Sequence, residues 1–112
     1  MKKFIVIYHA PKAAAAKMAE ATPEQAKAGM EPWFAWQKKV GSGMVDLGTP
    51  LSNGMQVTKS GVFPSDKDVV GYTILQANNM EEAVEMVKGH PHLDWVEGCA
   101  VEVHESLALP GM

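Results

Sequence analysis

Between Phe4 and His9 the chain is apolar on both parities, with Phe4, Val6 and Tyr8 on one side and Ile5 and Ile7 on the other. Such a segment reads as a central strand covered on both faces. Val69 to Gln76 has the same character, with Val70, Tyr72 and Ile74 against Val69 and Leu75. Cys99 to His104 alternates instead, Cys99, Val101 and Val103 facing one way and Ala100, Glu102 and His104 the other. That is a half-buried strand, expected at a sheet edge. Met44 to Leu47 and Met55 to Thr58 are shorter strands. They are separated by the turn residues Gly48-Thr49-Pro50 and Ser52-Asn53-Gly54, and a hairpin through Lys59-Ser60-Gly61 leads to Val62 and Phe63.

Helical spacing fills two of the gaps. Thr22-Pro23-Glu24-Gln25 is a helix start: the Thr22 hydroxyl caps, Pro23 needs no amide partner at the first position, and Gln25 closes a capping box. This helix is expected to run to about Val40, to end at Gly41 and Gly43, and to be kinked or split at Pro32. Alanine-rich Ala13 to Glu20 predicts a short extra helix before it. Asn79 with Glu82 caps a second main helix, in which Met80, Ala83, Val84 and Val87 share a face and Glu81, Glu82 and Glu85 turn away. Gly89 and Pro91 stop it.

The order β, α, β, hairpin, β, α, β predicts one α+β domain spanning residues 1–112, of ferredoxin-like βαββαβ plan with an antiparallel sheet and a hairpin insertion. Two helices cover one sheet face only. The first and the Val69 strands nevertheless carry bulky apolar side chains on both faces, so the bare face needs a cover. A second copy packing sheet on sheet uses the same patch twice, which predicts a homodimer.

Composition narrows the partners. The 112 residues are 46% hydrophobic with a formal charge of −3. Basic pairs occur only at Lys2-Lys3 and Lys38-Lys39, without the electrostatic footprint of a nucleic-acid binder. No stretch approaches the roughly 20 apolar residues of a membrane span. The start, MKKFIVIYHAPKAAAAKMAEA, imitates a secretory signal, but Phe4 to Ile7 is too short for an apolar core of roughly 7 to 15 residues. A lone Cys99 has no partner for a disulfide, which suits a reducing compartment, and it reads as a small core residue. A cytoplasmic location is expected.

Taken together, FIVIYHA, GTPLSNGMQVT, VVGYTILQANNMEEAVEMVKGHPHL and the closing VEV resemble the YCII-related family, in particular its DGPF-like branch. The likeness covers nearly the whole chain, and EEAVEMVKGHPHL is its most distinctive piece. It implies a ferredoxin-like protomer in a dimeric α+β barrel with a small-molecule cleft, and a His and an Asp active in some members. Asp46 matches the family aspartate. Met30-Glu31-Pro32-Trp33 occupies the place of the family histidine, and Ser60-Gly61-Val62-Phe63 keeps only the glycine and phenylalanine of the branch phrase.

Candidate chemistry gathers around GHPHLDW, Gly89 to Trp95. In the expected topology the second helix exits where the first strand finishes and the last begins, which brings His9, His90, His92 and Asp94 together. A structural reading takes Gly89, His90 and Pro91 as a helix exit. A functional one takes His9 or His92 as a proton carrier and Asp46 or Asp94 as the group that orients the ring, with Trp33, Trp36, His90 and Asp94 lining a ligand cleft. Trp33, Phe34 and Trp36 are also what packing against the sheet demands. Metal binding is not expected, since HxH broken by proline lacks the spacing of a metal site. No cofactor is expected. Glu102 and His104 lie on the face assigned to the second copy, either at its rim or in a polar cavity. The expected protein is a small-molecule binder, an acid/base enzyme or a non-catalytic dimer module; a cofactor-free oxygenase rests on fold analogy alone.

Overall fold

The computed structural model describes residues 1–111. Strand β1 (Lys2–His9) is followed by helices α1 (Lys12–Ala19) and α2 (Pro23–Val40), then by β2 (Met44–Asp46), β3 (Met55–Thr58), β4 (Gly61–Pro64) and β5 (Val69–Ala77). Helix α3 (Met80–Val87), a 3-10 turn at Pro91–Asp94 and β6 (Ala100–Ser106) complete the chain. Four strands form an antiparallel sheet in the order β2-β5-β1-β6, and β3 and β4 form a separate two-stranded ribbon. This α+β arrangement is compatible with a ferredoxin-like fold, with the two doubly apolar strands in the middle and β6 at an edge. Among the described residues no helix is long and apolar enough to cross a membrane.

The ends of the elements follow from local chemistry. Thr22 and Gln25 exchange the capping-box hydrogen bonds, and the Asn79 side chain accepts from the Glu82 amide. After α3, Gly89 takes a left-handed φ of 73° while the His90 amide donates back to the Val87 carbonyl. Of the two outcomes expected at Pro32, a kink or a split, the split does not occur: α2 runs unbroken through it. The carbonyl of Ala28, deprived of its donor, lies on an exposed turn open to solvent. β2 stops one residue early because the Asp46 carboxylate accepts from the Gly48 amide at 2.9 Å and turns the chain. β6 starts one residue late and gains two residues at its end, since Lys3 in β1 offers Ser106 a partner.

Sheet alternation sorts the side chains. Phe4, Val6, Tyr8, Thr73 and Leu75 point to the helices and are buried, joined by Trp36 from α2 and by Ala83 and Val87 from α3. The Trp36 indole N–H donates to the Met86 carbonyl at 2.7 Å, which satisfies an orphan acceptor in the last turn of α3 and ties the two helices. On the opposite face Ile5, Ile7, Tyr72 and Ile74 are half-buried, and among the described residues no helix packs them into the core.

Candidate functional site

Two sets of polar side chains meet at the end of β1, one on each sheet face. A bulge between Tyr8 and His9 opens the way, because Tyr8 pairs with Gly71 but His9 with Val69. The extra residue brings the chain before β5 back over β1. There the Ala10 amide donates to the Asp68 carbonyl, and the Asp68 side chain reaches His9.

On the helix-free face His9 sits between two carboxylates. Its Nδ1 lies 2.6 Å from Asp68 Oδ1, and its Nε2 hydrogen-bonds Glu102. Glu102 also approaches His104 Nε2 at 3.9 Å. Partial burial pulls the His9 pKa down, yet the hydrogen bonds and charges of Asp68 and Glu102 outweigh it and hold the pKa above the ordinary imidazole value. The hydrogen bond from His9 in turn holds the Asp68 carboxyl below its usual range. An imidazolium that donates from both nitrogens is the state this geometry favours.

On the helix side His90 is fully buried, and its hydrogen bonds fix its tautomer. The His92 amide can only donate, so His90 Nδ1, 2.9 Å away, accepts. Nε2 therefore carries the proton and donates to the Tyr8 hydroxyl at 3.2 Å. Tyr8 donates onward to Thr73 Oγ1 at 2.7 Å, and Thr73 donates to the Leu47 carbonyl at 2.7 Å. This file runs from the α3 exit across two strands to the turn after β2. Trp33, Trp36 and Tyr8 surround the His90 ring, with centroids 4.5, 4.3 and 4.9 Å away. Burial first, and neighbouring His92 second, push the His90 pKa down to about 4. Burial likewise pushes the Tyr8 phenol up to about 12 against the pull of its bond to Thr73. Tyr8→Phe should cost about 1–3 kcal/mol in urea unfolding, because it leaves the His90 N–H without an acceptor in a dry site; equal stability would show that the file is not continuous.

The residues singled out from the sequence are therefore divided among several places. His92 is buried and its Nε2 donates to the His9 carbonyl at 2.7 Å, so the two histidines meet through the backbone and not ring to ring. Asp46 lies on edge strand β2 with its carboxylate on the Gly48 amide, and no hydrogen bond joins it to a histidine among the described residues. Asp94 is exposed on the 3-10 turn. Trp36 is buried and Trp33 half-buried against His90. Among the described residues no group of three or more His, Cys, Asp or Glu is placed to hold a metal. Asp68, Tyr8 and Thr73 were not singled out for chemistry. Their signal is the antiparallel pairing of β1 with β5, which sets Asp68 beside His9 and Thr73 beside Tyr8 once the bulge is known.

Comparison with protein-family models and with curated proteins returns no match for this chain.

Proposed function

We propose that the chain is a YCII-related protein of the DGPF-like type. In this reading it is a cytoplasmic homodimer, joined through its helix-free sheet faces into a dimeric α+β barrel, that moves protons on a small organic molecule without a cofactor. The observation that carries the reading is the ring of His9 held between Asp68 and Glu102 at the rim of a half-buried apolar face. Asp68 orients the ring through Nδ1, leaving Nε2 to a carboxylate that is itself exposed. A substrate carbonyl oxygen that takes Glu102's place on Nε2 receives that proton, and the freed Glu102 carboxylate accepts a proton from the adjacent carbon. The product is the enol, His9 is left neutral, and Asp68 keeps its position throughout. Ile7 and Tyr72, on the same face, supply apolar contact for a small oxo acid or lactone.

The test is deuterium wash-in beside the carbonyl of a panel of small oxo acids and lactones, followed by proton NMR. The parent protein should accelerate exchange for at least one compound, and His9→Ala and Asp68→Asn should each slow it by about a hundredfold. Variants that exchange at the parent's rate would refute the assignment. One observation favours a second reading: both ring nitrogens of His9 are already engaged, as in an ion cluster that pins β6 and the Asp68 leg to β1. In a non-catalytic module of that kind no compound exchanges, and His9→Ala lowers stability only.

A further inference from the structure

The β3–β4 ribbon is a part of the molecule that the described residues leave uncovered. From Leu51 to Pro64 every residue except Gly61 is exposed, with Met55 at 58%, Val57 at 75%, Val62 at 60% and Phe63 at 49%. The radius of gyration, 15.4 Å, exceeds the roughly 13 Å of a compact chain of this length, as expected when part of it stands off. Cross-strand pairing sets Met55 opposite Pro64 and Val57 opposite Val62, so these four share one apolar face. Gln56, Thr58 and Phe63 lie on the other. An isolated two-stranded ribbon is marginal in water and presents two open edges, so an apolar ribbon of this kind needs a surface to lie on.

Two features indicate which surface. The ribbon carries a single charge, Lys59 at its tip, and a charge-poor composition belongs to the core of a protein interface. The helix-free sheet face, for its part, offers only about a dozen side chains, short of the 20–30 per side that a stable interface uses. The ribbon's apolar face adds to what the sheet face offers and brings the sum nearer to that size. The base of the ribbon is anchored at the sheet end that carries His9: Pro50 bridges to Gly71, the Leu51 amide donates to the Val70 carbonyl, and Asp68 closes the return leg on His9. Its direction is thus fixed from a rigid root.

We propose that the ribbon is the clasp of the homodimer, laying Met55, Val57 and Val62 against the rim of a second copy's helix-free face. This rests on the homodimer proposed above, and the experiment separates the two. Sedimentation of the parent, Val57→Glu, Val62→Glu and Gln56→Glu across the micromolar range reads the dimer dissociation constant. The substituted side chains are exposed, so unchanged circular dichroism is expected. Val57→Glu and Val62→Glu should weaken the dimer by about a hundredfold, while Gln56→Glu, with the same charge on the other face, should stay within about threefold of the parent. A dimeric parent whose Val57→Glu and Val62→Glu variants associate equally well overturns the clasp and leaves the dimer standing. A parent that is monomeric throughout overturns both.

Discussion

Between pH 6.5 and about pH 4 the folded chain is expected to lose about 3 kcal/mol of stability through His90 alone. The sign follows from which state takes the proton. In the unfolded chain the imidazole titrates near 6.5; in the folded chain it stays neutral until about 4, because it is buried among Tyr8, Trp33 and Trp36. Over that interval acid favours the unfolded state by about 1.4 kcal/mol per pH unit, and the loss is complete below it. Protonation would also place an N–H on Nδ1 facing the His92 amide, donor against donor. The check is urea unfolding at successive pH values for the parent and for His90→Gln, which keeps an acceptor and a donor but cannot titrate. The parent curve should fall across the interval, and the variant's should lack that component. A parent whose stability is flat there would mean that His90 is hydrated or already charged.

His9 acts with the opposite sign. Its folded pKa is raised, so its contribution is fully present below 6.5 and is lost as pH rises through the folded value. The depressed Asp68 contributes above its unfolded value of 3.8 and loses its effect as pH falls through the folded one. The His9 and His90 windows therefore adjoin near 6.5. Alkali releases the ion cluster on one sheet face, and acid attacks the hydrogen-bonded file on the other.

Much of this scaffold can be read from the residues, because its elements are set by short-range chemistry. Thr22 with Gln25, Asn79 with Glu82, and Gly89 before Pro91 mark helix boundaries through their own hydrogen bonds and dihedral angles. The two strands apolar on both parities identify the sheet centre. Pro32 does not split α2, because the carbonyl it deprives of a donor lies on an exposed turn. Sequence patterns bring the site into view only in part. His9, His90 and His92 are near one another, but whether their rings meet depends on which sheet face each one occupies. The one-residue bulge beside His9 decides how Asp68 approaches it, and a two-residue alternation does not encode that bulge. Asp46 looks available in sequence, and its nearest amide, two residues on, has already engaged it.

Gly48→Ala is expected to cost more than about 3 kcal/mol, the second large effect. Gly48 holds a φ of 78°, and an added Cβ would stand 1.8 Å from the Tyr72 carbonyl oxygen, a backbone atom that no rotamer change can move aside. The turn has little freedom to retreat. Asp46 holds the Gly48 amide, Pro50 bridges to Gly71, and the Leu47 carbonyl accepts from Thr73. Displacing it strips the acceptor from the buried Thr73 hydroxyl and so disturbs Tyr8 and His90 behind it, while the same shift loosens the root of the β3–β4 ribbon. Urea unfolding measures the loss, and the His90 imidazole resonance should report it from the far end of the file. If Gly48→Ala is as stable as the parent, the turn is not closed against β5, and the connection from the α3 exit to the β2 exit is not made.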